Sequence, residues 1–260
     1  MAGAAVLERL RPGPPIRWRT ATVRDVVAES PRACTIAIDV PGWPGHRAGQ
    51  HVDLRLTAED GYQAQRSYSI ASAPELDTLE LTVELVDDGE VSPYLVEELR
   101  PGDVFEVRGP IGGHFTWTVA DGGPLLLIGG GSGLVPLMSM LRHRAARGSD
   151  VEARVLVSAR SPEDALYRSE LETLEPRAGL HVAWTYTRTP APGWTGWARR
   201  VDAAMLEELG VAGAGSEAGA RSFVCGPTPF VETVAELLVE AGHDPRRIHA
   251  ERFGPTGGVG

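Results

Sequence analysis

Arg66, Ser67, Tyr68 and Ser69 place a forked cation, an aromatic ring and two hydroxyls within four residues of a segment that otherwise reads as a β-strand ending at Pro74. A guanidinium fork suits paired hydrogen bonds to phosphate or carboxylate oxygens, which makes Arg66 a candidate anion ligand. The plain alternative is an edge strand with an exposed arginine and a half-buried tyrosine. A second candidate lies at LLLIGGGSGLVPL, where an apolar strand runs through Gly129, Gly130, Gly131, Ser132 and Gly133 straight into a helix. Glycines there let the backbone approach a pyrophosphate, and the free N–H groups of a helix start offer it donors. Pro136 stands where the usual dinucleotide fingerprint has its third glycine, so the match is imperfect.

Other reactive constellations are missing. All 25 basic residues are arginine, which removes lysine nucleophiles and Schiff bases. Two cysteines, Cys34 and Cys225, cannot supply the four thiolates of an iron–sulfur cluster. The histidines are scattered; His51 and His114 lie near recognisable motifs but read as structural or exposed. No Ser-His-Asp or metal arrangement emerges.

The elements that must position these residues fall into two grammars. From 19 to 120, short alternating segments (TATVRDVVAES, CTIAIDVP, HVDLRL, QAQRSYSIAS, LELTVELV, DVFEVRGP) are separated by Gly, Pro and acidic turns, which predicts an antiparallel barrel or sandwich, the barrel being the form that the resemblance given below implies. One helix is expected at VSPYLVEELR, with Ser92 as N-cap and Pro93 in its first turn. From 121 to 260 strands and helices alternate, which predicts a doubly wound parallel sheet. Its expected helices include GLVPLMSMLRHRAAR and SPEDALYRSELETL, the second opened by a capping-box-like pair, Ser161 and Asp164. The third and fourth are DAAMLEELG and PFVETVAELLVEAG. Residues 1 to 18 form an unassigned arm, and AGAGSEAGA, 212 to 220, reads as a surface loop.

In such a sheet ligands bind at the carboxyl ends of the strands. Those ends carry Ser158 and Arg160, Thr187 and Arg188, and Cys225, Gly226 and Pro227. With the glycine turn at 129 to 133, four consecutive strands thus bring small or cationic residues to one edge, which fits an anionic dinucleotide.

Several motifs recur in order: Arg66-Ser67-Tyr68-Ser69, Gly89-Glu90-Val91-Ser92, GPIGGHF at 109 to 115, Gly129 to Gly133, Cys225-Gly226-Pro227 and Glu251-Arg252-Phe253. Together they resemble the ferredoxin–NADP reductase superfamily over roughly residues 19 to 254. The resemblance implies that Arg66 pairs with flavin phosphates, that Tyr68 packs on the flavin, and that Ser69 bonds near its N5. Gly89, Val91 and Ser92, with the N–H groups that follow, imply a second phosphate site, and so FAD rather than FMN. Gly130 to Gly133 and Pro136 would serve the nicotinamide dinucleotide, with Cys225, Gly226, Pro227 and Glu251 near the nicotinamide and Phe253 shielding the flavin. Arg160 and Arg188 are the candidates for a ribose 2′-phosphate, which favours NADPH over NADH.

The implied activity passes a hydride from NAD(P)H to FAD and then electrons to a separate acceptor, such as a ferredoxin or an oxygenase. The alternatives are a reductase of free flavin or another small acceptor, or a non-catalytic flavin-binding module. With formal net charge −10 the chain is a poor nucleic-acid binder. No membrane span or secretory signal is legible, so a cytoplasmic protein is expected. RHRAARG, 142 to 148, reads as a solvated basic helix face or a docking patch for an acidic partner.

Overall fold

The computed structural model describes residues 16–176, 179–210 and 220–254. Among them the chain builds two sheets. Strands β1 (Trp18–Ser30), β2 (Ala33–Asp39), β3 (His51–Thr57), β4 (Gln63–Ser69), β5 (Leu79–Glu84) and β6 (Val104–Ile111) form an antiparallel sheet in the order β4-β3-β6-β1-β2-β5. A bridge between Ile70 and Leu81 joins its two edges and curls it into a barrel. Alternation places Ile36, Ile38, Val52, Leu54, Leu81, Val83 and Val107 inside, all fully buried. Trp18, the last residue of the expected arm, opens β1, with the guanidiniums of Arg55 and Arg108 4.1 and 4.8 Å from its ring centre. The rest of that arm, up to residue 15, lies outside the described residues, as do 212–219 of the expected surface loop.

The second sheet is parallel, in the order β11-β10-β7-β8-β9: β7 (Leu125–Gly130), β8 (Ala153–Ala159), β9 (Leu180–Tyr186), β10 (Arg221–Pro227) and β11 (Ile248–Phe253). Helices α1 (Leu134–Ala146) and α2 (Arg168–Leu174) cover one face; α3 (Ala203–Glu208) and α4 (Thr228–Glu240) cover the other. Pro136 sits in the first turn of α1, where its missing N–H would have had no helical partner. Strand order reverses between β7 and β10, so their carboxyl ends flank the crevice where such sheets bind ligands. No helix among the described residues is long and apolar enough to cross a membrane.

Two expected helices are shorter than their sequences suggest. VSPYLVEELR yields one π-helical turn, Tyr94–Glu98, and the Ser92 hydroxyl accepts from the Val86 N–H instead of capping it. In SPEDALYRSELETL the Ser161 hydroxyl does donate to Asp164, but the helix begins only at Arg168. Tyr167 breaks it with φ +53°, because its ring is drawn beneath Arg142 and its hydroxyl bonds Thr82 of the barrel. A tertiary contact here overrides the local helix signal.

The expected basic face at 142 to 148 is a junction. Arg142 bonds the Ala71 carbonyl, Glu80 and Glu170; His143 meets Glu75 at 2.8 Å; Ser139 donates to the Ser72 carbonyl. Arg144 is buried and donates to the Val151 carbonyl. These contacts, with Phe115 and Trp117 of the barrel side packed against α1, lock the two sheets together.

Candidate active site

A cleft of about 1620 Å³ runs between the sheets, larger than the few hundred to 1,000 Å³ usual for one small ligand. Its barrel wall is β4 and the 84–92 turn. The pleat sets Arg66 and Tyr68 on one face of β4, and Ser69, opposite His51 on β3, is buried at its end. Arg66 reaches Glu90 at 2.8 Å, and Tyr62 donates to the other oxygen of the same carboxylate at 2.9 Å. Ser67 also lines the wall, but its hydroxyl donates to Asp53, which in turn pairs with Arg108. Gly89 closes the turn above Ser92; a side chain there would sit 2.9 Å from the Ser92 hydroxyl. Val91 is buried behind it.

The opposite wall is the glycine turn after β7. Gly131 has φ +56°, a conformation side chains rarely adopt, and a Cβ on Gly133 would lie 2.1 Å from the Cys225 carbonyl oxygen. The turn therefore packs flat on β10 at the switch point. Gly130, Gly131, Ser132 and Pro227 face the cleft, whereas Gly133, Pro136, Cys225 and Gly226 back it. Cys225 is fully buried, and burial pushes its thiol well above the ordinary range. The geometry thus does not bring the Cys225 side chain to the cleft wall.

Glu251 and Phe253, alternate residues on one face of β11, complete the wall. Glu251 Oε2 is buried without a hydrogen-bond partner, and burial pushes its carboxyl up to about 7. Such a carboxyl exchanges a proton near neutral pH. At the far end lie Arg160, Thr187 and Arg200. Arg188 is exposed and does not line the cleft; its backbone N–H donates to the Arg160 carbonyl.

Sequence reasoning missed Arg200, Glu84 and Phe230, and read the cleft-lining His51 as structural or exposed. Arg200 precedes α3, far in sequence from the glycine turn, and no local pattern marks it.

The donor set fits a flavin dinucleotide and a second dinucleotide: a forked cation, a ring, buried hydroxyls, a glycine turn open to the cleft and an unpartnered buried carboxyl. Comparison with known proteins decides the family. The family model for oxidoreductase FAD-binding domains matches residues 26–117, and that for oxidoreductase NAD-binding domains matches 127–236. The chain is 36% identical over 212 residues to ferredoxin–NADP reductase B of Sorangium cellulosum, covering 79% of this chain and 84% of that protein. This chain belongs to the ferredoxin–NADP reductase superfamily. Like other members, the reductase joins an FAD-binding barrel to an NAD-binding sheet.

The reductase is also 34% identical over 214 residues to the glycine betaine monooxygenase reductase subunit of Pseudomonas aeruginosa, covering 81% of this chain but only 57% of that protein. Among solved structures, the Amycolatopsis cytochrome P450 reductase superposes with TM-score 0.81 at 29% identity, covering 94% of this chain and 72% of that one.

Proposed function

We propose that this chain is an NAD(P)H-dependent reductase that delivers electrons through FAD to a separate acceptor protein, a ferredoxin or an oxygenase component. The observation that carries the reading is the single cleft in which Arg66, Tyr68 and Ser69 from one sheet face the glycine turn and Glu251 from the other. When bound, the flavin supplies the redox chemistry, accepting a hydride from the nicotinamide and yielding electrons to the acceptor. The protein binds and orients. Arg66 exchanges Glu90 for flavin phosphate; Tyr68 and Phe253 hold the ring system; Ser69 fixes its edge by hydrogen bonding. Gly89, Val91 and Ser92 shape the turn that receives the second phosphate. The glycine turn receives the dinucleotide pyrophosphate, and Glu251 holds or releases a proton at its Oε2 beside the nicotinamide.

The preferred donor is NADPH, supported by two cleft-lining guanidiniums, Arg160 and Arg200, that have no ion-pair partner among the described residues. The role first given to Arg188 passes to Arg200. Cytoplasmic residence belongs to the same proposal, and two buried unpaired thiols fit a reducing compartment. The relatives named above as monooxygenase and P450 reductases support a protein acceptor.

The test compares anaerobic NADPH oxidation with a plant-type ferredoxin and with free FMN as acceptor. Saturable turnover with the ferredoxin is expected, and turnover with FMN alone would contradict the reading.

A further inference from the structure

Two anion-receiving points of the cleft already carry a carboxylate of this chain. Arg66 holds Glu90, as described. On the opposite wall the Ser132 N–H, in the middle of the glycine turn, donates to Glu84 Oε2 at 3.2 Å. Glu84 ends β5 of the barrel, so this bond crosses between the sheets. The same oxygen lies 3.5 Å from where a Cβ on Gly131 would stand, so it occupies the open space above the turn. That is the space a pyrophosphate needs to reach the turn's N–H groups. A pyrophosphate and a carboxylate cannot accept the same N–H, and two anions at contact distance repel each other inside a partly enclosed cleft.

We infer that Glu84 is a resident competitor for the donor's pyrophosphate: it occupies the glycine turn between turnovers and sets how tightly the dinucleotide binds. The inference rests on the donor reading given above. Because oxidised and reduced dinucleotides share the pyrophosphate, Glu84 weakens both equally. Its benefit to the enzyme is faster release of the oxidised product, a step that often limits such reactions. Glu84 thereby becomes an affinity-determining residue outside every recognised motif.

The experiment uses Glu84→Gln in the FAD-loaded full-length protein. Glutamine has the same shape and retains an acceptor for the Ser132 N–H, so only the charge is removed. Dissociation constants for NAD+ and NADP+ are measured by perturbation of flavin absorbance, at low and at high ionic strength. At low salt E84Q should bind both dinucleotides about tenfold more tightly than wild type. The advantage should shrink as salt screens the repulsion, which loss of a merely structural contact would not reproduce. Unchanged or weaker binding by E84Q, or tightening of only one dinucleotide, would overturn the role of Glu84 and leave the donor reading standing. Failure of both proteins to bind either dinucleotide would overturn the donor reading and this inference with it.

Discussion

The Glu251 carboxyl has an ordinary value of 4.5 and is pushed to about 7 by burial alone. The folded state therefore holds its proton where the unfolded chain has lost it. Stability from this group is fully present below pH 4.5 and is lost as pH rises toward 7. Glu251→Gln, which cannot ionise, should match wild type near pH 5 and exceed it by about 2–3 kcal/mol near pH 8. Denaturant melts at the two pH values check this; an equal offset at both would show that the carboxyl does not titrate there. The free guanidiniums give a second prediction. Arg160→Ala and Arg200→Ala should each raise the NADPH KM about tenfold with little change for NADH. Arg188→Ala should change neither. A selective effect at Arg188 alone would return the 2′-phosphate to the position expected from sequence.

These residues also mark what was legible beforehand. Arg66, Tyr68, Ser69 and Glu251 stand inside contiguous motifs, and the structure brings all four to the cleft. Arg200 and Glu84 reach it through tertiary folding, one from the approach to α3 and one from the last residue of a strand, and short-range spacing carries no trace of that. Cys225 shows the converse. The resemblance sets this cysteine near the nicotinamide, yet the strand that holds it lies inside the sheet and buries the thiol.

At the scale of elements, the strand-turn-helix at 125–146 depends on a close backbone approach. The Gly133 position lies so near the Cys225 carbonyl that even a methyl group must push β10 or α1 aside. Gly133→Ala should cost about 2–4 kcal/mol of stability and loosen dinucleotide binding together. A variant as stable as wild type would mean that the turn yields easily. The element pattern was readable because periodicity changes from two to about 3.6 near residue 124. The failures were local. In 161–167 a good helix signal gave way because Tyr167 reaches Thr82 and lies under Arg142, contacts made across the junction. Ser92 likewise serves a turn hydrogen bond instead of a helix cap.

At the scale of the whole molecule, Arg142 is the staple between the barrel and the parallel sheet. Its side chain is only 17% exposed and pairs with Glu80 on one side and Glu170 on the other. Removing it strands two carboxylates that are 29% and 36% exposed. Arg142→Met should therefore cost about 2–3 kcal/mol and separate the unfolding of the two halves. One unsplit transition at the wild-type midpoint would contradict the staple. The sequence alone read this cluster as a surface face, because charge on a helix is normally solvated and only the packed junction reveals otherwise.

The cleft that this junction holds open is where both dinucleotides would bind, and its most direct test is the visible spectrum of the purified protein during anaerobic titration. The protein should be yellow, its flavin bands bleaching on addition of NADPH, and at higher concentration with NADH. A colourless protein that cannot be loaded with FAD, or a flavin that neither nucleotide reduces, would contradict this.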